Sequence, residues 1–514
     1  MKSYITFFIT ALMTLALVSS LVSRARSKHE APAEVIAPNE TASGDVADAG
    51  VDGAAPGLAP DASAVAMADA GVAPLEKPLR VAALGWELAA AGAALAAPPG
   101  VDAGLTAPPM ELAPESSLDA IEARLARGGA DPQGADVAVL PLPAFVASFE
   151  RLRALEPRAF VVVGFSRGRE EVRAAAGSLL KSPPAADEVK LVAFGPSTAA
   201  DATARAAGSE SATVLGLFAL DLLGVAPARI RLVAPGTPEA KAASFAAVVK
   251  GAVDDRPRAF STADASRLVP IVAVASKATI DAREATLREW AKAWLDGLSR
   301  AKADVPGVAR RLASKEAVPL AAGVGGAPEA LVLVERLGQI ENVGLDAQTS
   351  LIGPLADGKN GKTAATLDVL TQRTWQVARG GGFTAGAAPE PLPIDARIVS
   401  AIAPPPKDAA VPRNGDGDGD GGAAVTFGPI PTGALPNVAY RAVDGDAEKV
   451  ASEIAFLAAV FERGVFRISA KGGDKAAKAI ASAAHQRGVA PSRMATVPVE
   501  PQGAAAVVEV LSPP

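Results

Sequence analysis

The sequence predicts an α/β protein, two lobes built on mostly parallel sheet, followed by a small α+β domain. Three observations carry this expectation. Over residues 78–385 short apolar runs alternate with longer helix-like stretches, as strands and crossover helices do in parallel sheets. That span is longer than a single small sheet needs, which favours two lobes. A stretch rich in Pro, Gly and Asp at 386–424 then separates a second, shorter alternation at 425–514.

The elements follow in order. Leu79 to Leu84 in "LRVAALGWE" is an apolar run suited to a buried strand. "SLDAIEARLARGGA" places Leu118, Ile121 and Leu125 on one helical face and stops at Gly128 and Gly129. "ADVAVLPL" reads as a strand, "AFVASFERLRAL" as a helix and "AFVVVGFS" as the next strand. "VKLVAFG" and "RIRLVAP" are strands on either side of "SATVLGLFALDLLGV", a helix closed by Gly224. "VPIVAVAS" is a further strand, and "REATLREWAKAWLDGLSRAKA" a long amphipathic helix.

Composition excludes several classes. The net charge of −6 and the lack of a long Lys/Arg block argue against nucleic-acid binding. With no cysteine there are no disulfides, thiolate metal sites or cysteine nucleophiles. Of the two histidines, His29 lies in a low-complexity tail and His485 near the end of a helix, where a solvated face or a dipole contact accounts for it. No Ser-His-Asp or multi-histidine constellation can be assembled, no cofactor is implied, and the expectation is a protein that is not an enzyme.

The N-terminal segment has Lys2 followed by an apolar run from Ile5 to Val22, which fits a signal peptide or a membrane anchor over residues 1–28. Residues 29–77, rich in Ala, Pro and Asp, read as a disordered linker. The "NGDGDGDGG" stretch, Asn414 to Gly422, alternates acid and glycine as a calcium loop does. Counting from Asp416 aligns Asp418, Asp420 and Gly421 with such a loop, but its twelfth position is Phe427, which has no oxygen to offer. The stretch reads as part of a self-repelling linker, and no metal is expected.

"LRVAALGWELAAAGAAL", then "ARGGADPQGADVAVLPLPAFVASFERL" with Gly128, Gly129, Asp131, Gly134 and Asp136, resembles the substrate-binding proteins of nitrate/sulfonate/taurine ABC transporters. "GSESATVLGLFALDLLGVAPARIRLV" and "LREWAKAWLDGLSRAKADVPGVARRLAS" extend the resemblance, which covers residues 78–385. It implies a two-lobed type II periplasmic-binding fold, with lobe one at 78–165 and 265–385 and lobe two at 166–264. It also implies a small anionic ligand in the cleft and an ABC permease or sensor as partner. Candidate contacts are Trp86 and Glu87 past the first strand, Pro141 past "ADVAVL", and Phe165, Ser166 and Arg167 at the expected crossover. Ser209 and Ser211 open the helix "SATVLGLFALDLLGV", where free N–H groups favour an anion. Trp86 as core, Arg167 as a surface residue and the serines as caps are the structural alternatives. An acid at Ser211 should be tolerated by the helix, because first turns favour negative charge.

Residues 425–514 resemble a shortened OmpA-like domain: "VTF", "DAEKVASEIAFLAAVF", "GVFRISA", "DKAAKAIASAAHQRGVAPSRM", "TVPV" and "AAVVEVL" give β-α-β-α-β-β. The resemblance implies peptidoglycan contact through an Asp and an Arg. Asp474 matches the Asp, whereas the Arg position falls near Ala476. The expected function is an extracytoplasmic solute-binding protein, periplasmic or held at the inner membrane. The alternative is an envelope adaptor, with the lobes as scaffold and the OmpA-like domain touching peptidoglycan or a protein.

Overall fold

The computed structural model describes residues 77–96, 107–175, 187–193, 209–314, 318–352, 365–403 and 435–512, apart from isolated positions within them. The expectations placed on residues 1–76 and 404–427, the strand at "VTF" among them, lie outside the described residues; within the stretch expected as a linker at 386–424, Arg397–Ile402 form a helix whose Ile398 and Val399 are buried.

The chain opens with β1 (Leu79–Leu84), a 3-10 turn Trp86–Ala89 and α1 (Ala90–Leu95). β2 (Met110–Glu115), α2 (Leu118–Arg127), β3 (Val137–Pro141), α3 (Leu142–Leu152) and β4 (Pro157–Ser166) follow. It then crosses into a second body: β5 (Glu170–Ala174), β6 (Val189–Val192), α4 (Ser209–Leu222), β7 (Ile230–Val233), α5 (Pro238–Ala242), β8 (Phe245–Val249) and β9 (Arg258–Ser261). It returns through β10 (Pro270–Ser276), α6 (Lys277–Ala282), α7 (Glu284–Ala303), α8 (Val305–Ala313), α9 (Ala330–Leu337), β11 (Ile340–Asn342), α10 (Gln348–Leu351), α11 (Leu367–Gly380) and α12 (Arg397–Ile402).

The first sheet has the order β11-β4-β10-β3-β1-β2, the second β7-β6-β8-β5-β9. The two follow one plan. β1 is parallel to β2 and β3, and β6 to β7 and β8. The strand that arrives from the other lobe is inserted in reverse. β10 lies antiparallel between β3 and β4, and β5 antiparallel between β8 and β9. The sheets are therefore mixed rather than mostly parallel, because each crossing strand enters its new sheet from the hinge side. Two lobes joined by two crossovers, each inserting one reversed strand, make the two-lobed type II periplasmic-binding fold.

The residues account for these elements. β3, β4 and β10 are buried along nearly their whole length, as continuous Val, Ala and Ile runs require when helices cover both faces. α7 turns Leu287, Trp290, Trp294 and Leu298 to the first sheet, and Trp290 and Trp294 pack with centroids 5.0 Å apart. α4 is apolar all round, from Ala212 through Leu215, Leu217, Phe218 and Leu222, so it must be covered on every side. Its Gly216 sits against Ala247 and Leu191 in the second sheet, and its other face meets α3 and α11 of the first lobe. It ends where Gly224 takes φ 72°, with the Val225 N–H donating to the Leu220 carbonyl.

The C-terminal residues form a separate sheet. β12 (Leu435–Ala442), α13 (Ala447–Val460), β13 (Val465–Ala470), α14 (Gly473–Gln486), β14 (Met494–Thr496) and β15 (Ala506–Ser512) give the order β12-β15-β13-β14. β13 and β14 are parallel, and β15 is antiparallel to β12 and β13. α13 and α14 pack on each other and cover this sheet.

Candidate functional site

The cleft between the lobes is walled by α3 and α11 on one side and α4 on the other. The cavity there is lined by Pro143, Val214, Phe218, Leu268, Leu370 and Val377 among others. Its free volume, about 10 Å³, is near the minimum for a single water. Among the described residues the walls meet as a largely apolar interface crossed by the Arg373–Asp221 ion pair, and further polar groups gather at the hinge and at the start of α4.

Glu87 follows β1 on the 3-10 turn and is 1% exposed. Its Oε1 lies 2.9 Å from the Arg169 guanidinium, and its Oε2 lies 3.8 Å from Arg336 on α9. Oε2 accepts no hydrogen bond among the described residues. The turn needs Gly85: its φ is +103°, and a Cβ there would stand 2.6 Å from Glu87 Oε1. Glu87 also borders a second small cavity with Lys302, Leu337, Ile340 and Asn342.

The crossovers carry a buried polar knot. Ser166, at the end of β4, donates its hydroxyl to Glu170 Oε2, and Thr262 on the returning crossover donates to the same oxygen at 3.1 Å. Thr262 Oγ1 accepts from the Gly168 N–H at 2.9 Å, tying one crossover to the other. Glu170 is fully buried, and its Oε1 has no partner among the described residues. Burial pushes its carboxyl above the usual range, with Arg169 and the two hydroxyls opposing. A group whose folded pKa is raised contributes stability that is fully present below its unfolded value, about 4.3 for Glu, and is lost as pH rises through the folded value. Glu170→Gln removes this titration. The urea midpoint of the variant should gain on wild type as pH rises from 4 to 8, and a difference independent of pH would refute the assignment.

The expected site residues divide. Pro141 ends β3, pairs with Ile271 and stands before the first turn of α3, at the cleft. Trp86 is half-buried against the core. Phe165 is buried, with the Arg267 guanidinium 4.7 Å from its ring centre. Arg167, expected as an anion clamp, is 42% exposed, and its guanidinium lies 3.3 Å from Glu341. Ser209 begins α4. Ser211 is 0% exposed, and its hydroxyl has no partner among the described residues. Between them Glu210 is buried and already places a carboxylate in the first turn. The Arg151 guanidinium on α3, held above its usual value by a hydrogen bond to Glu122, also senses Glu210 across the cleft. Asp474 lies in the first turn of α14, bound to Lys478 at 2.7 Å and accepting from Thr496 at 3.2 Å.

Sequence reasoning missed Arg169, Glu170, Thr262 and Arg336. "SRGREE" reads as a charged surface loop. The signal that was present is the alternation Glu170, Val172, Ala174, which marks a strand about to enter a sheet.

No family model matches the chain, and no curated protein matches it. Among solved structures it is similar to the zinc-bound ligand-binding component of an ABC-type import system from Staphylococcus aureus, with 10% identity and a TM-score of 0.38, covering 64% of this chain and 99% of that one. It is similar to the periplasmic aliphatic sulphonate binding protein of Escherichia coli, with 13% identity, a TM-score of 0.38, and 64% and 92% coverage. A third is the putative periplasmic sulfonate-binding protein of Methylobacillus flagellatus, with 12% identity, a TM-score of 0.39, and 63% and 93% coverage.

Proposed function

We propose that the chain is a non-enzymatic, extracytoplasmic solute-binding protein that captures a small polar ligand between its lobes for an ABC permease or a sensor. The observation that carries this reading is a set of buried polar atoms around the cleft and hinge that lack hydrogen-bond partners among the described residues: Glu87 Oε2, Glu170 Oε1 and Ser211 Oγ. Each such group costs about 1–3 kcal/mol if left unmet, and a ligand or water offsets that cost. The N–H groups at the start of α4 suit an anionic group at Ser209 and Ser211, with Arg151 across the cleft offsetting the charge of the intervening Glu210. Glu87 Oε2 adds a requirement: a ligand that reaches it should carry a hydrogen-bond donor. Amino-sulfonates and amino-phosphonates combine both features, whereas nitrate does not.

The test is a thermal-shift panel of nitrate, sulfonates, phosphonates, carboxylates and their amino derivatives, with native mass spectrometry for a co-purified ligand. Ligand at 100 times its dissociation constant should stabilise by about 2.7 kcal/mol. Stabilisation by an amino derivative, exceeding that by its parent anion, is the expected result.

A second reading, an envelope adaptor with the lobes as scaffold, is favoured by the packed apolar cleft. Here the C-terminal domain is OmpA-like, a reading supported by its β12-β15-β13-β14 order. The site for peptidoglycan is incomplete in this reading, because Asp474 is bound by Lys478 and Ala476 stands where a cation is needed. Absence of any thermal shift across the panel would favour it. In both readings residues 1–28 direct export or anchor the chain to the inner membrane. Among the described residues no helix is long and apolar enough to cross a membrane.

A further inference from the structure

Two arginines each join three bodies. Arg373, on α11 of the first lobe, reaches Asp221 on α4 of the second lobe at 2.8 Å and Glu453 on α13 of the C-terminal domain at 3.0 Å. Its guanidinium also lies 5.8 Å from the Phe218 ring of α4 and 5.7 Å from the Phe456 ring of α13. These rings meet edge-on, with centroids 6.2 Å apart. Arg267, on the returning crossover, binds Glu341 of β11 at 3.0 Å and Glu462 just past α13 at 2.8 Å. Ser266 adds its hydroxyl to Glu462 at 3.0 Å, and the Arg267 N–H donates to the Val460 carbonyl at 3.2 Å. Phe461 packs against Phe260 of β9.

The C-terminal domain therefore holds the first lobe through Arg373, the second through Phe218 and Phe260, and the hinge through Ser266 and Arg267. A rotation of the lobes about their crossovers displaces Arg373 relative to Phe218. Glu453 and Phe456 touch both sides and cannot follow both. We propose that the C-terminal domain is an interlobe brace, which fixes the closed arrangement of the lobes and must leave its seat before they open. Asp474 and α14 are not among these contacts, so a partner that engages the far side of the domain could draw it off and release the lobes.

The chain contains no cysteine, so paired spin labels can be introduced cleanly. Lys241→Cys with Ala285→Cys, both exposed, reports the distance between lobes. Lys241→Cys with Lys475→Cys, also exposed, reports the seating of the brace. Each pair is measured by double electron–electron resonance in the full chain and in Glu453→Ala/Glu462→Lys. The double substitution leaves the domain's core intact and sets a cation against Arg267. The expected result is a single narrow distribution for both pairs in wild type, and a second, longer population for both in the variant. A lengthened brace distance with an unchanged lobe distance overturns the proposal, because the lobes then stay closed without the brace. Unchanged distances for both pairs also overturn it, because the two ion-pair joints then do not hold the domain. The experiment needs no ligand, so its failure leaves the solute-binding reading untouched.

Discussion

Glu87→Ala should lower the stability of the folded lobes by about 3–5 kcal/mol, the range for breaking a buried ion pair. The physical reason lies in what remains. The Arg169 side chain is only 7% exposed, and its carboxylate partner is 2% exposed. Without Glu87 the guanidinium keeps its charge in a site that water scarcely reaches, because arginine does not deprotonate. Arg336 loses its counter-charge too, but it is half-exposed and recovers hydration. The loss should therefore come mainly from Arg169. Replacing both partners, as Glu87→Met with Arg169→Met, should restore most of the stability, since an apolar pair carries no desolvation cost. The measurement is the urea midpoint of the three variants. A loss below about 0.5 kcal/mol in Glu87→Ala, the range of ordinary surface changes, would show that solvent or the neighbouring Glu170 carries the Arg169 charge and that the Glu87 pair does not hold lobe to hinge.

Arg169 also shows where sequence reading stops. Arg167 and Arg169 stand two apart, on either side of Gly168, and a regular strand would put them on one face. Gly168 takes φ +80°, which breaks the alternation, so Arg167 pairs with Glu341 near the surface while Arg169 turns inward to Glu87. Nothing local in "SRGRE" reveals that turn. In the first lobe β1, β3, β4 and β10 were legible because each is a continuous apolar run, whereas β2 ("MELAPE") and β11 ("IEN") carry acids and were not; α4 was legible from its apolar length and its closing glycine. The direction of β5 and β10 was not, because a strand's sequence carries no mark of whether its neighbours run with it or against it. The brace was hidden for a related reason. Glu453, Phe456 and Phe461 sit in an ordinary amphipathic pattern, and only the fold reveals that its outer face is covered by another domain.

Ser211→Asp carries the second large effect, and it reverses what the sequence alone implies. An acid in a helix's first turn gains up to about 2 kcal/mol from the macrodipole in favourable geometry, so the isolated helix would accept it. In the fold Ser211 is fully buried and adjoins Glu210, itself buried. A second carboxylate there is desolvated, at a cost of several kcal/mol, and repelled by the first. The net result should be a loss of several kcal/mol or a proton held well into the neutral range, read as a urea midpoint that falls further as pH rises. Because such a variant fails to bind for trivial reasons, Ser211→Ala is the informative partner. It removes a hydroxyl that has no partner among the described residues and substitutes the better helix former. Stability should hold or rise within about 1 kcal/mol. If an anion sits at the start of α4, the same variant should lose about tenfold in affinity, roughly 1.4 kcal/mol. Stability and affinity then move in opposite directions, which a purely structural serine cannot produce. Undiminished binding of a panel ligand in Ser211→Ala would shift the contact away from α4, leaving Glu87 and the hinge as the wall that recognises it.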